Sequence, residues 1–340
     1  LSFFGRLNYA YDNKYLASFS YRRDGSSVFG PNTKYGNFAA ASVGWNAAKE
    51  DFLKDSEVIN RLKFRVSYGV TGNNDFRTGD QLVNNYPYLA ILSNNTTGVS
   101  GGAQNLVVNP LNIPNPDLTW ERQIEFNPGL DFGFLNNRIS GSVDYYKRTS
   151  DQLLLNNPVS YVTGFNNGIV NLGKVANTGW ELELRTRNVS NEKFSWKTTL
   201  IASTNKNELL DYGESNGALT EDGFGRNSQW INLVGNPISS FYGYVVDKEL
   251  ANEYWNSPWI PINGKSEDII VKDLNGDGLI TDDDKTILGD PYPDLVWSFT
   301  NEFRYKNFDF SFMIQGSLGA QVNNIGDQYF YNWFGNRTRS

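Results

Sequence analysis

Segments of about ten residues, alternately apolar and polar, recur along this chain, and the joints between them come in two very different lengths. In "GWELELRTR" (179–187), Trp180, Leu182, Leu184 and Thr186 fall on one side of an extended strand, and Glu181, Glu183, Arg185 and Arg187 on the other. "FFGRLNYAY" (3–11), "YLASFSYRR" (15–23), "GNFAAASVGWNA" (36–47) and "RLKFRVSYGV" (61–70) repeat the pattern. So do the stretches 118–135, 138–148, 193–204, 294–305 and 308–317. The sequence thus predicts about ten strands, each long enough for a tilted strand to cross a bilayer. The joints alternate. One kind is a short turn, such as "DNK" (12–14), "NN" (136–137), "SNE" (190–192) or "KN" (306–307), with one longer link at 49–60. The other is a long polar segment: 24–35, 71–117, 149–178, 205–293 and everything after 318. Membrane barrels have short turns at one rim and long loops at the other. A soluble sandwich has turns at regular intervals and no reason for this asymmetry.

This pattern points to an all-β, antiparallel transmembrane barrel, with short periplasmic turns and long extracellular loops. Tyr9, Tyr11, Tyr21, Trp45, Trp120, Tyr145, Trp196, Trp297 and Tyr305 sit near strand ends, where barrels place their aromatic girdles. On this reading Trp180, Leu182 and Leu184 face lipid, while Glu181, Glu183, Arg185 and Arg187 face a watery lumen. Phe308, Phe310, Phe312 and Ile314 face lipid in the last strand. The competing architecture is a large soluble β-sandwich or solenoid whose charged face is solvated. No apolar run is long enough for a transmembrane helix, which does not bear on strands.

Composition removes several kinds of chemistry. The 340 residues include no His and no Cys. Ser-His-Asp, Cys-His and HExxH catalysis are therefore absent from this chain, as are disulfides and thiolate metal sites. A net charge of −7 argues against a nucleic-acid partner. Glu181 and Glu183, two apart on one strand face, would need a closed cleft to act as a glycosidase pair. The sequence predicts no enzyme.

The strongest local motif is "DLNGDGLITDDD" (273–284), inside the long 205–293 segment. It follows the D-x-N-x-D-G spacing of calcium loops: Asp273, Asn275 and Asp277 supply side-chain oxygens, Leu279 its carbonyl, and Asp284 the twelfth-position carboxylate. Gly278 permits the sharp turn. The spacing predicts one structural Ca²⁺; the alternative is a solvated Asn/Gly/Asp turn. "NEYWNSPWIP" (252–261) and "DQYFYNWFGN" (327–336) place Tyr254, Trp255, Trp259, Tyr331 and Trp333 in polar loops. Such rings can stack on a sugar, or simply pack within a loop or an interface.

Several ordered stretches resemble the SusC/RagA family of TonB-linked outer-membrane transporters. "RRDGSSVFG" (22–30) is similar to a strand-to-loop motif of that family, and "LKFRVSYGVTGNN" (62–74) to its SYG-TGN signature. "NPDLTWERQIEFNPGLDFGFLNNRISGSVDYY" (115–146), "NLGKVANTGWELEL" (171–184) and the block 273–319 extend the resemblance over most of the chain. The resemblance implies a 22-stranded barrel, of which residues 1–340 are a C-terminal portion. It implies uptake of an oligomeric nutrient, a glycan or a peptide, beneath a SusD-like surface lipoprotein acting as a lid. It implies coupling to the TonB complex through a plug and a contacting segment expected before Leu1, with closing strands expected after Ser340. The expected location is the outer membrane of a Gram-negative, Bacteroidetes-like cell. Two alternatives stay open: an outer-membrane receptor or adhesion barrel without transport, and a soluble calcium-binding, carbohydrate-binding β-protein.

Overall fold

The computed structural model describes residues 1–75, 85–100, 103–165, 167–213, 217–220, 230–245 and 271–323. Its framework is one antiparallel sheet. The strands are β1 (Ser2–Tyr11), β2 (Tyr15–Gly25), β3 (Tyr35–Asn46), β4 (Ile59–Asn73), β7 (Glu121–Phe134), β8 (Ile139–Asp151), β11 (Lys174–Ser190), β12 (Phe194–Ser203), β18 (Leu295–Tyr305) and β19 (Phe308–Leu318), lying side by side in that order. These are the ten strands expected from alternation, with ends moved by a few residues. Each pairs with its predecessor and successor in the sheet, an up-and-down meander. β1 and β19 form the two open edges.

The register gathers the apolar residues on one face. Leu62, Phe132, Gly141, Leu184, Leu200, Phe299 and Ile314 lie opposite one another in a single row across seven strands. The reverse face carries rows such as Asn8, Ser18, Ser42, Ser67 and Asn127. A slip of one residue in any strand would exchange the faces, so the two-sided pattern fixes the register. The apolar face is open. Trp180 is 56% exposed, and Phe310 62%. Large apolar side chains at that exposure across a whole sheet face need an apolar surround, which a bilayer supplies.

Aromatic rings cluster where strands meet the short turns. Trp45 stacks on Phe64 with centroids 5.6 Å apart, Phe132 on Phe134 at 5.6 Å, and Phe303 on Trp196 at 5.7 Å. Towards the other rim, Tyr145 and Trp180 meet at 5.1 Å. The short turns use left-handed backbone at Asp12, Asn13, Asn136 and Asn137, residues that tolerate positive φ, which lets the strands fold back tightly. Pro128 interrupts β7 in the middle of the sheet, where it cannot donate to the ladder. The side-chain amide of Asn127 substitutes by donating to the Tyr145 carbonyl at 3.1 Å.

The long segments are more ordered than their polar composition suggests. The 71–117 stretch contains β5 (Leu92–Ser100) paired with β6 (Ala103–Pro110), and 149–178 contains β9 (Leu154–Pro158) paired with β10 (Asn167–Asn171). Within 205–293 lie β13 (Lys206–Asp211), β14 (Gly217–Thr220), β15 (Trp230–Leu233), β16 (Ser240–Tyr244) and β17 (Lys285–Gly289). The last four form a small sheet of their own. β13 pairs β11 in the register that β12 had set, so β12 and β13 act as one strand with a short break at Thr204 and Asn205. Most of these added strands are four to six residues long, too short for alternation to announce them.

Candidate functional site

Two parts of the described structure are built tightly enough to be functional: the polar face of the sheet and the collar formed by the long loops. The polar face is hollowed; a depression of about 410 Å³ is lined by Ser18, Ser42, Lys63, Arg65, Ser67 and Asn127 among others. From its wall, Arg65 reaches from β4 over β7 to β8. Its Nη2 donates to Oδ2 of Asp144 at 2.7 Å, and its Nη1 lies 2.6 Å from Oδ1, a close ion pair with one hydrogen bond; Oδ1 itself is buried and accepts none among the described residues. The Asp131 carboxylate accepts from Arg65 Nε at 3.4 Å and pairs with Arg61 Nη2 at 3.2 Å. Gly129 stands between Arg65 and Asp144 in the register. A Cβ there would sit 2.4 Å from Asp144 Oδ1 and 2.7 Å from Arg65 Cζ, so this contact requires glycine. Asp131 and Asp144 are both buried; without the Arg65 guanidinium Asp144 would be a desolvated charge, and Asp131 would keep only Arg61.

The charged residues of "GWELELRTR" divide their roles. Glu183 and Arg185 pair with each other along the polar face. Arg187 lies at the short-turn rim, where its guanidinium donates to the carbonyls of Asn136 and Asn137. Arg138 reciprocates, donating to the carbonyls of Arg187 at 3.0 Å and Asn188 at 2.7 Å.

The collar holds the buried apolar cluster: Phe29, Phe38, Leu118, Trp120 and Ile169. These come from three loop regions and the end of β3. Trp120, expected in an aromatic girdle, is instead 7% exposed inside this cluster, with Phe29 and Phe38 rings 5.2 and 5.4 Å away. Asn side chains stitch the loops by doing what backbone would do in a sheet. Asn171 accepts from Thr119 N–H at 2.8 Å and donates to the carbonyls of Thr119 at 2.7 Å and Gln152 at 3.0 Å. Asn112 donates to the carbonyls of Pro87 and Leu89 and accepts from Ile91 N–H at 2.9 Å. Asn207 donates to Asn177 and accepts from Ile238 N–H at 2.9 Å.

In the Asp-rich loop the side chains close on the loop's own amides. Asp273 accepts from Gly276 N–H at 2.6 Å and Gly278 N–H at 2.8 Å; Asp277 accepts from Leu279 N–H at 2.7 Å. Asn275 accepts from Asp277 N–H at 2.9 Å. Asp284 is fully buried, and its carboxylate accepts from Thr281 N–H at 2.8 Å and from Leu274 and Asn275 N–H. The Thr281 amide, with those of Leu274 and Asn275, holds the Asp284 carboxyl below its ordinary pKa against the opposing effect of burial. Gly276 and Gly278 take positive φ, as the turn requires. Among the described residues no group of three or more carboxylates converges on one point as a metal site would. The Leu279 side chain is exposed. The aromatics Tyr254, Trp255, Trp259, Tyr331 and Trp333 lie outside the described residues.

A ten-strand wall with one apolar face, one charge-paired hollow face, short turns at one rim and folded loops at the other defines an arc of a membrane-spanning β-barrel. The chain matches the family described as TonB dependent receptor-like, beta-barrel, over residues 1–340, and it belongs to that family. It is 36% identical over 95% of its length to TonB-dependent receptor P26 of Formosa agariphila, and 34% identical over 95% to TonB-dependent receptor SusC of Bacteroides thetaiotaomicron. It covers 32% and 31% of those two proteins, so it spans about a third of the length of the curated relatives it matches. Among solved structures it superposes on the RagAB peptide transporter with a TM-score of 0.76 and 26% identity, covering 97% of this chain and 34% of that one.

Proposed function

We propose that the chain is a wall segment of an outer-membrane importer that takes up an oligomeric nutrient, a glycan or a peptide, and that it does no covalent chemistry. The observation carrying this reading is the two-faced wall: apolar outward, hollow and charge-paired inward, with a collar of folded loops above it. Such a wall gives a polar oligomer an aqueous path lined by hydroxyls, amides and paired charges. The similarity to SusC and to the RagAB peptide transporter supports import; a glycan or a peptide is the proposed substrate class. The proposed partners are a SusD-like lipoprotein lid seated on the collar and the TonB complex acting through other parts of the protein; the cell is Gram-negative and Bacteroidetes-like. The 205–293 segment is proposed to be extracellular. Tyr254, Trp255, Trp259, Tyr331 and Trp333 are proposed to stack on the substrate.

The test uses the full-length protein in cells. Labelled oligosaccharides and peptides are offered to cells with the intact gene and to cells lacking residues 205–293, and uptake is followed together with co-purification of a surface lipoprotein. Uptake of one class that is lost in the deletion is the expected result. Surface binding without uptake would instead identify a receptor or adhesin.

One Ca²⁺ held by Asp273, Asn275, Asp277, the Leu279 carbonyl and Asp284 is a separate proposal, supported by spacing alone. The ion would have to share or displace the amide hydrogen bonds that these side chains now accept. Calcium-dependent heat in calorimetry that Asp277→Ala abolishes is the expected result; equal heat in the variant would reject it.

A further inference from the structure

We propose that the β3–β4 connection is a lipid anchor, with Phe52 inserted into the membrane interface beside the aromatic belt. Other short-rim joints are tight turns; this one is longer and coils on itself, with Leu53 and Lys54 N–H both donating to the Glu50 carbonyl. Glu50 fixes where it lies. Its Oε1 accepts from the Tyr15 hydroxyl at 2.6 Å and from the Trp45 indole N–H at 3.0 Å, and Lys14 Nζ is 3.6 Å from Oε2. Tyr15 and Trp45 face each other in the register and belong to the apolar face, Trp45 being stacked on Phe64. The connection therefore folds outward over the lipid-facing side of the wall and not across the lumen.

The same contacts set its depth. A carboxylate and an ammonium do not enter hydrocarbon, whereas Tyr and Trp bodies sit at the boundary with their polar tips towards water. Glu50 gathers two such tips, so it marks the level where lipid gives way to water. Phe52, two residues on, is 71% exposed. A lone exposed Phe on a soluble surface needs no explanation. Here it stands two residues from a carboxylate tied to a face that already requires lipid, and the interface region is where a partly inserted ring is stable. The connection carries Lys49 and Lys54 against Glu50, Asp51, Asp55 and Glu57, so apolar insertion and not attraction to anionic headgroups holds it.

The experiment places an environment-sensitive nitrobenzoxadiazole probe on Phe52→Cys in the full-length protein, reconstituted in phosphatidylcholine vesicles; this stretch of the protein has no cysteine of its own. Asp51→Cys, on a side chain 83% exposed, and Val162→Cys, 93% exposed at a loop tip, serve as references. The expected result is blue-shifted emission at 52 that headgroup-nitroxide lipids quench, little changed by salt, with water-like emission at 162. Water-like emission at 52 would overturn the proposal. Blue-shifted emission that lipid nitroxides leave unquenched would also overturn it, since the ring would then be covered by protein. If labelling at 52 impairs folding, the probe at 51 decides: quenching above that at 162 supports the anchor, and equality with 162 rejects it.

Discussion

The wall and the collar of this protein are stabilised by opposite means. In the collar, Trp120, Phe38 and Leu118 are buried among one another, as in any soluble core, and Asn side chains satisfy the backbone around them. In the wall, Phe299, Leu200 and Ile314 share a row on a face that the protein itself does not cover, and order comes from the ladder and the register. One chain thus folds against two solvents. The collar must exclude water by its own packing. The wall relies on lipid for that and must pair the few polar groups on that face, as Asn301 does in accepting from the Trp196 indole and the Thr198 hydroxyl. The same residue type therefore means different things in the two regions: an aromatic ring is a core element in the collar and a solvent-facing element in the wall.

This contrast can be tested by substitution. The largest effect is expected at Trp120→Ala, where loss of a buried ring should cost the collar about 3–5 kcal/mol. Hydrogen exchange should quicken in the loops around Phe29 and Ile169, while heat-resistant gel migration of the barrel stays unchanged. Phe299→Arg, at mid-strand, should cost the wall about 2–4 kcal/mol in bilayer folding and leave collar exchange alone. Next comes Gly129→Val. It drives a side chain into the Arg65–Asp144 contact and should cost about 1–3 kcal/mol by leaving a buried charge poorly paired. In a double-mutant cycle with Asp144→Ala that penalty should shrink. Phe310→Arg should cost only about 0–1 kcal/mol, because Phe310 lies close to the short-turn rim where a charge reaches water. Equal costs at Phe299 and Phe310 would undo the assignment of that rim to the interface.

The smallest effect expected is one of pH. The Tyr15 hydroxyl, then the Trp45 indole, hold the Glu50 carboxyl below its ordinary pKa, with Lys14 adding to the shift. A lowered native pKa means that the contribution is complete above the unfolded value of about 4.3 and is lost as pH falls through the native value. The difference in melting temperature between the protein and Glu50→Gln should therefore be present at neutral pH and vanish in acid. A difference that persists in acid would mean that the carboxylate charge is not what anchors the connection.

The wall was legible because its rule is local. Alternation over ten residues needs no knowledge of partners, and the turns at Asp12–Asn13 and Asn136–Asn137 announce themselves by residue type. The collar follows no such rule. Phe29, Trp120 and Ile169 meet only because three loops converge, and Trp120 at a strand end reads from the sequence as a girdle residue. The Arg65–Asp144 pair depends on an empty Cβ position at Gly129, a third strand away from either signal. Glu50 is one acidic residue in an acidic link until Tyr15 and Trp45 are seen to point at it. In the Asp-rich loop the spacing and the need for glycine were readable. The engagement of Asp273, Asp277 and Asp284 by backbone amides was not, since carboxylates in a turn serve amides and cations through the same oxygens.

The unequal joints also set a timetable. Closing the hairpin between β7 and β8 brings together residues only a few positions apart, whereas pairing β12 with β18 must close the whole segment between Ser203 and Leu295. Loop-closure entropy rises by roughly 0.6 kcal/mol per doubling of length, so the longer closure is costlier by about 3 kcal/mol before any contact rewards it. Hairpins form in about 1–10 μs. The wall should therefore arise as a set of early two-strand units joined at the short rim, and these units would zip together later as each loop condenses. A destabilised collar would then slow assembly at the β2–β3, β4–β7, β8–β11 and β12–β18 seams and leave the early hairpins untouched.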